Sequence, residues 1–215
     1  MGPRCAPAAC LIVLVLMPAI AAKAAVYQNE PADDTYLEPS APDETRGDWD
    51  TMWVFGYIGP GSHPLLKFDL AAIPDSAVIS SATLYLYNYQ SASDRHTLVS
   101  RAANDAWEEE TVTLNSYAPG TLTILGNTVP AGGCYNVWTL SGWDYPVDLA
   151  DNALTLMLQF ENEGDGFYKY NKYYSKEAAG LHPYLEIEYV PEPASVSLVA
   201  LGGAALLLRL RRRGR

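Results

Sequence analysis

The chain has 215 residues, 49% of them apolar, and 25 acidic against 14 basic side chains give a formal net charge of −11. This length suits one domain with a real core once the two ends are set aside. The acidic balance excludes nucleic acid as the natural partner, and three cysteines, two within the first ten residues, exclude a disulfide framework.

Residues 1–25 read as a secretory signal peptide. Arg4 supplies the basic start, Cys10 to Ala22 an apolar run, and Ala22 and Ala24 frame a cleavage site. The run is short of the about 20 residues that a retained membrane helix needs. Removal of this segment leaves an exported domain over 26–190 and a tail over 191–215. From Ala25 to Val190 there are 24 acids against seven bases, a formal −17, and Cys134 is the one remaining cysteine. None of His63, His96 and His182 lies in a catalytic motif, so Cys134 reads as a small buried side chain.

The domain alternates with period two almost throughout. After Asp34-Thr35-Tyr36, a β-rich run covers Thr51–Ile58, and Leu66, Phe68 and Leu70 alternate with Lys67 and Asp69. Leu84 and Leu86 alternate with Tyr85, Tyr87 and Tyr89. Further runs cover Thr97–Arg101, Thr111–Leu114, Thr121–Leu125 and Tyr135–Leu140, and Trp143–Leu149 predicts one helical turn. Leu154, Leu156, Leu158 and Phe160 share one face of a long strand, with Thr155, Met157 and Gln159 opposite; Leu185, Ile187 and Tyr189 repeat the pattern at the end. Such burial marks antiparallel sheets with one face on a core. Turn clusters such as Gly59-Pro60-Gly61-Ser62 separate the runs. The expected fold is all-β, an antiparallel sandwich of about nine strands and of jelly-roll type.

In the tail, Pro191-Glu192-Pro193 precedes an apolar stretch, Val196 to Leu208, that predicts a short transmembrane helix, and five arginines fall in the last seven residues. Positive charge opposes translocation, so Arg211, Arg212 and Arg213 stay on the cytoplasmic side. The combination resembles the PEP-CTERM sorting signal of Gram-negative bacteria that make exopolysaccharide. The resemblance implies processing by an exosortase, transient anchoring in the inner membrane, and delivery to the cell surface or extracellular matrix.

Between the ends, Leu65-Leu66-Lys67-Phe68-Asp69-Leu70 with Ile73-Pro74, then Ala77 to Tyr87, Trp107 to Asn115, and Pro183-Tyr184-Leu185-Glu186-Ile187 carry a second resemblance. They are similar to the DNRLRE domain, an extracellular β-sandwich related to carbohydrate-binding modules, some of which bind alginate. The resemblance implies polysaccharide as partner. His63-Pro64 stands where that family often has a basic residue before the Leu-Leu-Lys-Phe strand.

No paired carboxylates, nucleophile elbow or metal-ligand spacing marks a catalytic site, and none is assigned; the chain reads as non-catalytic. Two aromatic clusters, Trp49, Trp53 and Tyr57 and then Tyr168, Tyr170 and Tyr173, offer faces on which sugars stack. The oxygen-rich stretches at Asp33-Asp34 and Glu161 to Asp165 suit a structural calcium, though none has EF-hand spacing. The alternative to a glycan-binding surface protein is a structural or assembly protein of the envelope or matrix that binds no glycan.

Overall fold

The computed structural model of the chain describes residues 23–92, 94–164 and 166–191. They hold eleven strands and one short helix: β1 Ala25–Asn29, β2 Asp33–Leu37, β3 Thr51–Gly56, β4 His63–Asp69, β5 Val78–Ser91, β6 Thr97–Ala102, β7 Leu122–Thr128, β8 Cys134–Thr139, α1 Tyr145–Asp151, β9 Ala153–Phe160, β10 Lys169–Tyr174 and β11 Tyr184–Val190. Residues 1–22 of the expected signal peptide and the expected transmembrane span, with Glu192, Pro193 and Arg211 to Arg213, lie outside the described residues, while Ala25, the last residue of the expected signal, opens β1. Among the described residues no helix is long and apolar enough to cross a membrane.

Every strand pairing is antiparallel. One sheet is ordered β2-β4-β9-β6-β7; the other contains β1, β11, β5, β10 and β3, with β8 also on β5. Positions 84 and 88 of β5 pair with β8 as well as with Leu185 and Tyr173. So β10 and β11 lie end to end along one edge of β5, and β8 lies along the other. This is the expected β-sandwich. Its core forms where Leu84, Leu86, Met52, Trp138, Leu185 and Ile187 of one sheet meet Leu66, Phe68, Leu154, Leu156, Leu158 and Phe160 of the other, all at most 1% exposed. Period-two alternation is what puts these side chains on one face.

The other face of the β4–β9 sheet departs from the expectation of one wet face. Thr155 and Met157 are buried, because segment 103–121 folds across them as a cover. Trp107, Val112 and Tyr117 of this cover form a second core with Leu37, Leu65 and Met157. The indole N–H of Trp107 donates to Thr155 Oγ1 at 3.0 Å, and Lys67 Nζ donates to the Trp107 carbonyl. Thr111–Leu114, expected as a strand, is a run of turns closed by Val112 N–H to Glu108 O at 2.9 Å and Tyr117 N–H to Thr113 O at 3.1 Å. Its β-branched residues bury Val112 in the second core instead of pairing with a neighbouring strand.

Two further expectations are corrected. The helical turn lies two residues later, at Tyr145–Asp151, where buried Asp148 accepts from Arg101 Nε at 2.7 and 2.8 Å and from the Trp143 indole. Cys134 is exposed rather than buried, since it opens β8 on a rim where Asn136 and Trp138 are the residues that turn inward.

Candidate functional site

The outward face of the β5-centred sheet carries an aromatic band. Along β5, Leu84 and Leu86 point inward, so Tyr85, Tyr87 and Tyr89 point outward, half-buried. Register then decides their neighbours. Tyr184 pairs with Tyr85 and the rings stack at 4.4 Å and 11°. Tyr174 stacks on both Tyr87, at 5.7 Å, and Tyr89, at 4.9 Å. Tyr135 of β8 meets Tyr87 and Tyr184 edge-on at 5.3 and 5.6 Å. From Tyr85 to Tyr89 this ladder covers about 13 Å, at about 3.3 Å per residue.

Pairing of β10 with β3 extends the band. Tyr170 pairs with Phe55 and Lys172 with Trp53. The Lys172 ammonium lies 3.9 Å from the Trp53 ring centre and 5.1 Å from that of Tyr170. Beyond them Tyr168 packs on Phe55, Tyr57 and Tyr170, and it is 63% exposed, with Tyr57 at 44%. Of the six aromatic residues singled out from the sequence, the pairing of β3 with β10 therefore joins four, Trp53, Tyr57, Tyr168 and Tyr170, in one surface. Trp49 lies beside it: its ring meets Tyr36 edge-on at 5.8 Å and carries the Arg46 guanidinium at 4.4 Å. Burial pushes the Tyr36 phenol up to about 12, against the opposing charge of Arg46. Tyr173 is a correction. Alternation along β10, where Asn171 and Tyr173 turn inward and Tyr170 and Lys172 outward, leaves it wholly buried and edge-on to Trp138 at 6.0 Å, with its phenol pushed well up by desolvation.

The ladder's chemistry follows from its geometry. Stacked rings spend their faces on each other and present edges and phenol oxygens outward. Tyr87 donates to Gly133 O, Tyr135 to His182 O, and Tyr170 accepts from Gln90. The hydroxyls of Tyr57, Tyr85, Tyr168, Tyr174 and Tyr184 have no partner among the described residues. Such a surface offers ring area at its exposed end and hydrogen bonds along its length, the mixed demand that sugars make.

At the far end the band runs into an open depression of about 500 Å³ lined by Gln28, Glu30, Tyr135, Leu181, His182 and Tyr184. His182 Nδ1 meets Glu30 at 3.1 Å, and that bond is the main reason its imidazole titrates above the ordinary value. Leu181, 47% exposed, holds a left-handed φ of 59°, costly for a side chain with a Cβ.

Of the acidic residues expected to hold calcium, Asp33 and Glu161 are not brought together. Asp33 pairs with Lys67 Nζ at 2.5 Å. Glu161 follows β9, six residues past Thr155, which is level with Lys67 and Asp33. At about 3.3 Å per residue that is about 20 Å away. Asp165 lies outside the described residues, and its neighbour Glu163 binds His63 at 2.9 Å and the Gly61 N–H at 3.1 Å. Asp34, by contrast, meets Glu109 and Glu177, two residues that sequence spacing did not associate with it.

The alternation that points the β5 tyrosines outward was visible in the sequence; their partners Tyr135, Tyr174 and Tyr184 come from three other segments and are assembled only by pairing. A search of curated proteins finds no match to the chain. A family model, that of carbohydrate-binding module family 96, matches residues 25–189.

Proposed function

The chain belongs to carbohydrate-binding module family 96, and from that premise we propose a non-catalytic, exported polysaccharide-binding protein that uses the outward aromatic band of the β5-centred sheet. The observation that carries this reading is the ladder Tyr85, Tyr87, Tyr89, Tyr174 and Tyr184, which stands outside either core and continues into the exposed rings of Tyr57 and Tyr168. A glycan chain laid along it stacks at the Tyr57–Tyr168 end, exchanges water for phenol hydroxyls along the ladder, and ends over Gln28, Glu30 and His182.

The charges on this face favour a neutral or sparsely charged chain. Glu30, Glu186 and Glu188 flank the β11 end, while Lys172 is a lone ammonium with no carboxylate partner among the described residues. A polymer with a carboxylate on each unit meets one cation and several anions, inside a field of −17.

Delivery follows from the two ends. The N-terminal signal and the Pro191-Glu192-Pro193 tail with its arginines support export, transient inner-membrane anchoring and exosortase processing. In this reading the domain, of DNRLRE type, then reaches the surface or matrix. A glycan array probed with residues 25–190, which carry both cores, tests the binding reading. Retention on neutral polysaccharides is expected, and no binding to any glycan favours the alternative of a structural envelope protein.

A further inference from the structure

At the β2 edge, three carboxylates from separate segments converge. Asp34 comes from β2, Glu109 from the cover and Glu177 from the loop after β10, and one oxygen of each lies within 4.8 Å of the others. Asp34 has no exposed surface. Its Oδ2 accepts the Lys176 backbone N–H at 2.8 Å, while Oδ1 is buried with no hydrogen-bond partner. A buried carboxylate oxygen without a donor is costly, and the natural remedy is a cation.

The surroundings are built for the cluster. The Asp34 N–H donates to Glu109 Oε2 at 3.1 Å, so the cover's acid is fixed against β2. Gly47 packs on Glu109 so closely that a Cβ there would lie 2.6 Å from the Glu109 carbonyl oxygen, which leaves room only for glycine. Lys176 brings one positive charge: its ammonium bonds Glu109 at 2.8 Å and also Glu177, and it makes no hydrogen bond to Asp34. Three carboxylates and one ammonium leave a formal −2. Asp33, Lys67, Glu108 and Glu110 line an adjoining depression; Lys67 offsets Asp33, and Glu108 and Glu110 deepen the negative potential.

We propose that Asp34, Glu109 and Glu177 form a calcium site that staples the cover and the β10–β11 loop to β2. All the donors are hard oxygens, which excludes a soft-metal preference. Three carboxylate oxygens within 4.8 Å of one another are close enough to share one ion, and calcium's flexible shell of six to eight oxygens at about 2.3–2.6 Å suits ligands fixed by three separate segments better than magnesium's strict octahedron. Backbone carbonyls and water complete the shell. The burial of Asp34, which together with Glu177 drives its carboxyl well above the ordinary range, fits a group that trades a proton for a metal.

The test is calorimetry of the chelator-stripped domain, residues 25–190, with calcium and with magnesium, paired with thermal melts. The wild type is expected to bind one calcium in preference to magnesium and to melt higher as calcium rises, as mass action requires. Asp34→Asn and Glu177→Gln should lose that calcium response. Asp34→Asn without metal should melt at or above the wild type, because a carboxamide can donate toward the facing carboxylates where the Asp34 oxygen has no donor. Lys176→Gln should bind calcium several-fold tighter, since the competing ammonium is removed; a merely structural cluster predicts no such gain. Absence of calcium binding overturns the proposal, as does binding retained in both carboxylate variants, which moves the ion to the loops around Glu161. Should Asp34→Asn fail to fold, Glu177→Gln, whose side chain is 25% exposed at the rim, decides alone.

Discussion

Replacement of Thr155 by valine tests the second core most sharply. Thr155 lies on the β9 face opposite the main core, where simple alternation leaves a residue wet and its replacement cheap. It is instead fully buried, and its hydroxyl takes the Trp107 indole N–H at 3.0 Å. Valine keeps the shape and removes the acceptor, so the indole N–H, inside a group that is 6% exposed, loses its partner. Such an orphaned donor costs about 1–3 kcal/mol. Leu156→Ala, one residue on and facing the main core, should cost about 2–5 kcal/mol from the cavity left behind. The assay is urea unfolding followed by far-ultraviolet circular dichroism, whose transition midpoint reports the strands as a whole and, unlike tryptophan fluorescence, does not depend on Trp107 for its signal. A cycle with Trp107→Phe isolates the pair: Thr155→Val with Trp107→Phe should cost at least about 0.5 kcal/mol less than the sum of the singles. A Thr155→Val midpoint indistinguishable from the wild type, or strict additivity, would refute the account of the cover as an integral second core.

Three further expectations follow from particular groups. His182, raised by its bond to Glu30, contributes stability that is fully present below the ordinary 6.5 and is lost as pH rises through the folded-state value. The melting difference between wild type and Glu30→Gln should therefore be largest at about pH 5.5 and vanish by about pH 8.5; a difference that grows with pH contradicts the pairing. Cys134, exposed on the β8 rim, should react with a thiol reagent in the folded protein at a rate close to that in denaturant, whereas a lag until unfolding means that it is covered. Neutral replacements of Arg211, Arg212 and Arg213 should weaken membrane retention, and cell fractionation that finds processing and location unchanged counts against the sorting reading.

Strands whose two faces differ were legible because alternation is a local property. Leu154 to Phe160 and Thr83 to Tyr89 read correctly from spacing alone, and their core faces are the observed ones. The cover was not legible, since Val112 and Trp107 become apolar anchors only when a long segment folds back on the β4–β9 sheet, a non-local event that composition does not report. The same limit explains the meeting of Asp34 with Glu109 and Glu177 from 75 and 143 residues further along the chain; Tyr173, by contrast, turns inward with Asn171 by the plain alternation of β10, which is local. Tyr57, Trp53, Tyr168 and Tyr170 were visible as aromatic clusters, but their union required the antiparallel register of β3 with β10.

The central claim is that glycan binds the outward aromatic band. Calorimetry of the domain with neutral and uronate oligosaccharides, each with calcium and then with chelator, compares the wild type with Tyr168→Ala, Tyr85→Ala and, as a control at the exposed start of α1, Asp144→Asn. Tyr168→Ala and Tyr85→Ala should each lose about tenfold or more in affinity for the neutral chain, the effect of about 1.4 kcal/mol, and Asp144→Asn should bind as the wild type does. The neutral chain should also bind more tightly than the uronate. Neutral binding unaltered in both tyrosine variants, or tight uronate binding that survives chelation, would contradict the account.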